Sequence, residues 1–403
     1  MSGPLSNFFP PEPVREVLNV LVQMDREPWI VGGTVRDLLL GTEPRDWDLS
    51  FRGIPEDLER LAGRFGAVRS RGIPLGSLGL KNQGIPVDVT LFRREGDYRD
   101  GRRPGRVDFR ADLDEDLMRR DYTLNALALS WPERVLRDHW EEQPRLEKDT
   151  YEIRTCRPAV ESFREDPLRM LRGFVLWERL AASGRTPVFS REIVVAFEEC
   201  GMLAAAIARD TAGRELDKLA GTSRGGSALK AMERAGVLGA AGYAPDRETV
   251  SWEKLDSTPD ARVFYVALRH LTGLMPFRGS RGAVLTVAQA LDGLPESPEE
   301  LKGMLCHLGF REGELYRKTL RHLYPDRYAY YGAGGAFREP LYLRDLAVTG
   351  RDLGDAGIGE GPLRSKILMD LLYRVHRDPD LNRKDLLLSI VRSSMGDNGR
   401  NQD

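Results

Sequence analysis

Long apolar runs are missing from these 403 residues, and none approaches the roughly 20 residues a membrane-spanning helix needs. The N-terminus does not read as a signal peptide. Cysteine is scarce: Cys156, Cys200 and Cys306 share no metal-ligand spacing, which argues against a zinc site and for a reducing, cytoplasmic location. Excess charge of one sign is also lacking. Charged residues make up 30% of the chain but the formal net charge is −2, so any contact with nucleic acid must come from local patches. Lysine is rare: of 60 basic residues nine are lysine and 51 arginine. Arginine suits bidentate phosphate contacts, although a GC-rich coding sequence gives the same bias. None of the five histidines is followed by aspartate, the step that marks a phosphohydrolase metal site. No GxxxxGK[ST] loop is present, which excludes a Walker-type phosphate site.

What is there is concentrated first in IVGGTVRDLLLGTEPRDWDLSF, Ile30 to Phe51. Trp29 to Val31 is a short apolar run of the kind that forms a buried strand. Gly32 and Gly33 remove the Cβ atoms that would keep a phosphate from the backbone. Thr34 is expected to cap a short helix, Thr34 to Leu40, that ends at Gly41. The N-terminus of that helix offers free N–H groups and a partial positive charge, with Arg36 in its first turn. Asp46 and Asp48 follow on a strand, two apart and therefore on one side. Paired carboxylates beside a triphosphate suit Mg²⁺, which takes hard oxygen ligands and lets substrate oxygens complete its octahedron. A glycine pair before a helix is common, and an Asp-x-Asp pair is most often solvated. Their convergence with Arg36 within about twenty residues is what favours function.

At this length two to four domains with substantial cores are expected. Pro11 to Met24 has helical spacing, with Val14, Leu18, Leu21 and Val22 on one face. Ile54 to Phe65 is also helical, and Ala67 to Val89 holds short strand-like pieces. In IPVDVTLF, Asp88 lies on an apolar strand, where a lone acid is costly without partners. Either it is a third active-site carboxylate beside Asp46 and Asp48, or it is paired with a neighbouring arginine. RREGDYRDGRRPGRVDF, Arg93 to Phe109, is nearly devoid of aliphatics and reads as a mobile surface loop. DEDLMRRDYTLNALAL, Asp114 to Leu129, reads as a helix start, a basic pair, and a segment whose Asn125 points inwards. From about Tyr151 the pattern turns helical. In SFREDPLRMLRGFVLWERL, Ser162 to Leu180, Pro167 fits a helix first turn, with Asp166, Arg169 and Arg172 three apart on one face. Helical spacing recurs in Val263 to Leu271, Ala283 to Leu294 and Leu301 to Leu308. YYGAGGAF, Tyr330 to Phe337, reads as a hinge. GIGEGP then precedes a helix whose Arg364 and Lys366 either hold an RNA phosphate or are solvated charges at a tight turn.

Three ordered motifs, Gly32–Asp48, Arg119–Asn125 and Glu165–Arg172, make the chain resemble the class II nucleotidyltransferases, the family of bacterial tRNA CCA-adding enzymes and poly(A) polymerases. The second is close to the family's RRDFTxNA form, with Tyr122 in place of phenylalanine. The third matches its EDxxR motif, although Val175 stands where a further basic residue is frequent. The glycine-rich DPxGG turn is missing, replaced by Arg137 to Asp149. A later family motif survives in part as Asp210-Thr211-Ala212 and Arg214-Glu215-Leu216.

The resemblance implies an α+β fold: a nucleotidyltransferase head (1–148) on a small mixed, mostly antiparallel sheet, followed by an all-α neck (149–224), body (225–332) and tail (333–403). It implies addition of CCA to tRNA from CTP and ATP, with two Mg²⁺ ions on Asp46 and Asp48, beside which Asp88 would be a further catalytic acid on the first of its two readings. Gly32, Gly33 and Arg36 would hold the triphosphate. Arg119, Arg120, Asp121 and Asn125 would surround the ribose, and Glu165, Asp166, Arg169 and Arg172 the base. Arg364 and Lys366 would meet the RNA, and the Arg93 to Phe109 loop would serve the switch to ATP. No dinucleotide cofactor and no membrane partner are expected, and monomer and homodimer stay open. An enzyme adding only A or only C, a poly(A) polymerase, a protein or antibiotic nucleotidyltransferase and a catalytically dead RNA-binding module are the alternatives.

Overall fold

The structure, a computed structural model, describes residues 5–398 except 45, 71, 96–106, 248, 276, 278–281 and 338–340. The chain divides into two compact units, Met1–Ala244 and Pro245–Asp403. The first takes in the expected head and neck together with residues 225–244.

In the first unit α1 (Glu12–Gln23) precedes β1 (Pro28–Val31), α2 (Gly33–Leu39), β2 (Trp47–Phe51) and α3 (Pro55–Phe65). Helix α1 buries Val14, Val17, Leu18, Val20 and Leu21. Val22, expected on that face, falls at the edge of the stripe and is exposed. Then come β3 (Ser77–Asn82), β4 (Ile85–Leu91), β5 (Arg94–Glu95), β6 (Val107–Asp108), α4 (Leu113–Met118), β7 (Ala128–Ser130) and β8 (Leu136–Arg137). Six strands form one sheet in the order β3-β4-β2-β1-β7-β8. Every pairing is antiparallel except β2 with β4, which runs parallel with Asp48 opposite Asp88. Alternation explains this register: Trp47, Leu49 and Phe51 are buried on β2, and Val87, Val89 and Leu91 on β4. A one-residue slip would drive Asp48 and Asp88 into that apolar layer. The expected mixed, mostly antiparallel sheet is therefore present. The short pair β5–β6 joins the two ends of the arginine- and glycine-rich loop, whose tip lies outside the described residues.

Beyond the sheet come α5 (Glu142–Leu146), β9 (Thr150–Ile153), α6 (Ala159–Glu165), α7 (Leu168–Ala182), β10 (Thr186–Phe189) and α8 (Arg191–Cys200). β9 and β10 pair in parallel, so the region expected to be all-helical carries a two-stranded sheet. The alternating burial of Tyr151 and Ile153 carries that strand, and it is too short to stand out from the helical pattern around it. Helices α9 (Arg209–Leu216), α10 (Gly225–Arg234) and α11 (Val237–Ala240) complete the unit.

The second unit is helical among its described residues: α12 (Ala261–Thr272), α13 (Gly282–Asp292), α14 (Pro298–Leu323), α15 (Pro325–Ala333), α16 (Gly350–Asp355), α17 (Pro362–Arg377) and α18 (Lys384–Asn398). The segment read as a hinge from Tyr330 is in part the end of α15. Tyr331 is fully buried and its hydroxyl donates to the Pro295 carbonyl, while Phe337 stacks on Tyr328 with ring centroids 4.5 Å apart. Aromatic packing outweighs the glycines there. Among the described residues no helix is long and apolar enough to cross a membrane.

Candidate active site

The site is built at the end of β1, where the chain leaves the sheet through Gly32. Gly32 takes φ +70°, and a Cβ there would lie 2.8 Å from Arg120 Nη1. The positive φ favours glycine, and a larger residue would also have to displace the Arg120 guanidinium. It is Gly32, not Thr34, that caps α2. Thr34 instead turns to the carboxylate strand: its hydroxyl donates to the Asp46 carbonyl at 3.2 Å and accepts from the Asp48 amide at 2.9 Å. That side chain ties the glycine turn to the Asp46–Asp48 pair.

Asp46 is exposed, just before β2, and Asp48 is partly buried on the strand. Burial pushes the Asp48 carboxyl up to about 6, with Arg120 opposing the rise and Asp88 and Asp46 adding to it. Three carboxylates thus lie within electrostatic reach of one another, with Arg120 and Arg36 acting against their repulsion. That fits a divalent cation held by one or two carboxylates with substrate oxygens. Among the described residues no group of three or more acids, histidines or cysteines is placed to hold a metal ion, so Asp46 and Asp48 would act as a pair completed by substrate oxygens. Asp88 lies opposite Asp48 in the strand register, and its carboxylate accepts from Arg69 Nη2 at 2.6 and 2.7 Å, the arginine pairing that was one of the two expectations. It is not buried as its strand suggested, because β4 presents that face partly to solvent.

The second motif closes over the turn. Arg119 and Arg120 both reach Asp116, at 2.7 and 3.2 Å. Asp116 is fully buried; burial raises its carboxyl, but Arg120 and Arg119 outweigh that and hold it below the usual range. Asp121 accepts from the Tyr122 amide at 2.8 Å and from Asn125 Nδ2 at 3.1 Å, and Arg172 lies 3.5 Å away. Here too burial is overcome, by Arg172, Asn125 and the Tyr122 amide, so Asp121 stays ionised. Asn125 points inwards as expected, and its Oδ1 accepts from Arg36 Nη1 at 2.6 Å.

The third motif comes to the same place on α7. Asp166 accepts from the Leu168 amide at 3.1 Å, a local turn just ahead of that helix, whose cap position is Pro167. Arg169 is buried and donates to Ser162 Oγ at 2.9 Å, Glu165 Oε2 at 3.3 Å and the Arg119 carbonyl at 3.3 Å. Glu165 is shared with Arg157. Gly32, Gly33, Arg36, Asp48, Arg120, Asp121, Asn125, Arg169 and Arg172 are thus linked through the first unit by direct contacts or charge. Arg364 and Lys366 belong to the second unit. Arg364 donates to the Ile358 carbonyl at 2.7 Å and packs against Gly354, so it closes a turn, whereas Lys366 is exposed.

Three residues of the site were not singled out from the sequence, Asp37, Asp116 and Arg179, and Thr34 was expected only as a helix cap. Asp37 directly precedes the apolar run Leu38–Leu40, and Asp116 directly precedes Leu117 and Met118, a partial sign of a buried acid. Thr34 and Arg179 carry no such sign.

Comparison with known proteins bears on this geometry. Residues 28–150 match the family described as poly A polymerase head domain, the family the motifs resemble. The CCA-adding enzyme of Geobacillus kaustophilus (strain HTA426) is 39% identical over 163 residues, which is 40% of this chain and 39% of that protein. That of Bacillus cereus (strain Q1) is 37% identical over 157 residues, 39% and 38% of the two chains. The match thus spans about two fifths of the length of these curated relatives. The Bacillus stearothermophilus CCA-adding enzyme in complex with CTP has the same fold, with a TM-score of 0.70 at 22% identity over 97% of this chain and 98% of that one. The Thermotoga maritima CCA-adding enzyme complexed with tRNA_CCA aligns over 94% of both chains, with a TM-score of 0.62 at 18% identity.

Proposed function

We propose, from the premise that residues 28–150 are a poly A polymerase head domain, that this protein is a template-independent RNA nucleotidyltransferase that adds CCA to tRNA from CTP and ATP. One observation carries the reading: the Gly32 turn, Arg36, Arg120 and the Asp48 carboxylate converge, putting phosphate-binding groups beside metal-binding ones. The relatives' names and the whole-chain fold likeness support it.

In this reading Gly32, Gly33 and Arg36 bind the triphosphate through backbone donors and a guanidinium. Asp46 and Asp48 hold Mg²⁺, two ions in all, and Asp88 adds negative charge next to them. Magnesium when bound supplies Lewis-acid stabilisation of the attacking 3′ oxygen and the leaving pyrophosphate. Arg119 and Arg120 frame the pocket, anchored on Asp116. Asp121, kept ionised, accepts from a ribose 2′-OH, the group that separates NTP from dNTP.

Asp166 and Arg169 offer an acceptor and a donor to the base. Cytosine and adenine both present an amino donor beside an unprotonated ring nitrogen, whereas uracil and guanine reverse both groups. A wrong base leaves buried polar groups unpaired at roughly 1–3 kcal/mol each. Glu165 orients Arg169, and Arg172 keeps Asp121 charged. The loop from Arg93 to Phe109 serves A addition, and Lys366 is the better placed of the two tail residues to meet RNA phosphate. The proposed head (1–148), neck (149–224), body (225–332) and tail (333–403) cut across the observed units, since residues 225–244 pack with the first.

The test uses purified protein, tRNAs ending in the discriminator base, in C and in CC, and each nucleoside triphosphate separately. C addition to the first two and A addition to the third is the expected pattern. Growth of A tails on any RNA end would make it a poly(A) polymerase instead.

A further inference from the structure

The arginine at the glycine turn does not stand alone. Arg36 Nε and Nη2 lie 2.9 and 2.8 Å from Asp37 Oδ1, and Nη1 reaches Asn125. The guanidinium lies over Gly33, where a Cβ would sit 3.2 Å from Nη2. Asp37 is only 3% exposed. Its second oxygen accepts from Arg179 Nη2 at 2.6 Å, and Arg179 Nε is 3.4 Å from the first. Arg179 comes from α7, 142 residues further along the chain, and belongs to none of the three motifs.

A buried carboxylate must be neutralised. One carboxylate between two guanidiniums leaves a net positive charge, and it lies beside the Gly32–Gly33 turn. Without Arg179, Asp37 would cancel Arg36 and the turn would lose the charge that faces a phosphate. We infer that Arg179 is a positioning residue for the nucleotide's triphosphate: it neutralises Asp37 from the neck helix and so leaves the charge of Arg36 free for the phosphates. The inference rests on the nucleotide-binding reading above. It makes a residue outside the head necessary for phosphate binding in the head. It assigns Arg179 no contact with the base.

The test is calorimetric titration of the full chain, in magnesium, with inorganic tripolyphosphate, CTP and UTP. R179M should weaken tripolyphosphate about tenfold, a factor equivalent to about 1.4 kcal/mol. It should weaken CTP and UTP by the same factor, so that their ratio is unchanged. R179Q keeps a donor to Asp37 but no charge; it should lose as much as R179M, and it carries the test if R179M does not fold. R179K keeps the charge and should stay within about threefold of wild type, the scale of one partly exposed hydrogen bond. The double variant D37N/R179M, which removes both charges, should recover most of the affinity. Wild-type tripolyphosphate affinity in R179M and R179Q overturns the inference, as does a double variant no better than R179M. A wild-type protein that binds neither tripolyphosphate nor CTP overturns the nucleotide reading itself.

Discussion

The Tyr122 hydroxyl donates to the main-chain carbonyl of Arg169 at 2.7 Å, across 47 residues of chain. The same hydroxyl fills the space left by Gly173, where a Cβ would lie 2.2 Å from it. A residue of the second motif is thereby locked against the helix that carries the third. Burial drives the Tyr122 phenol well above its usual range, so it remains a donor at any working pH.

This lock predicts an order of stabilities. Tyr122→Phe loses one buried hydrogen bond and should cost about 0.5–1.5 kcal/mol. Gly173→Ala forces a carbon into an occupied space and should cost more, about 1–3 kcal/mol or above. Urea unfolding of both variants checks the order; a Gly173→Ala protein as stable as wild type would show that the contact is not tight.

Asp46→Ala and Asp48→Ala should each abolish nucleotide incorporation while leaving tRNA binding within a few-fold. Loss of metal binding removes several kcal/mol of transition-state stabilisation, about tenfold in rate for each 1.4 kcal/mol. Either variant working within about tenfold of wild type would contradict the metal assignment.

Gly32→Ala should be damaging although the change is one methyl group. The positive φ costs an alanine about 1–2 kcal/mol, and its Cβ meets Arg120. CTP affinity by titration should fall, and thermal stability with it. Gly41→Ala is the control, since its φ is also +70° but nothing lies within 4 Å of a Cβ there.

Arg169→Ala should relax discrimination against UTP and GTP as well as slow the use of CTP and ATP. The buried Ser162 hydroxyl and the Arg119 carbonyl lose a donor too, while Glu165 keeps Arg157, so the variant should also melt earlier. Incorporation rates for the four nucleotides decide the matter. One common factor of slowing would make Arg169 a structural residue only.

Acid should release the Asp116 cluster. Its folded pKa lies below the unfolded value of 3.8, so its stabilisation is complete above that value and is lost as the pH falls through the folded one. Asp116→Asn should therefore reduce stability at neutral pH, by about 3–5 kcal/mol for a broken buried pair. It should also flatten the fall in stability below about pH 4. Melting curves from pH 7 to pH 3 would refute this if wild type and variant ran parallel.

Much of the site was legible in the sequence because its chemistry is local. The Gly32 turn, Arg36 and the Asp46–Asp48 pair lie within one strand–helix–strand passage, where spacing alone says which side chains share a side. The alternation in IPVDVTL likewise foretold the face of Asp88 opposite Val87 and Val89. What spacing cannot tell is which distant group a side chain finds. Thr34 has the chemistry of a helix cap, yet its hydroxyl goes to the Asp46–Asp48 backbone.

The sequence by itself determined the strand–turn–helix–strand passage at Gly32 and the helical spacing of the later segments, which follow from periodicity and short-range chemistry, while the sheet-based head was implied by the resemblance its three motifs carry. Only the tertiary structure decided that Asp88 faces Asp48 while holding Arg69, that Arg169 is buried among Ser162, Glu165 and Arg119, and that Arg179 closes on Asp37. The placement of Asp88 follows from how β4 lies beside β2, and the pairings of Arg169 with Arg119 and of Arg179 with Asp37, 50 and 142 residues apart, from how α7 docks on the head. Docking depends on shape and on neutralising buried charge, quantities that belong to packed surfaces and not to any stretch of sequence.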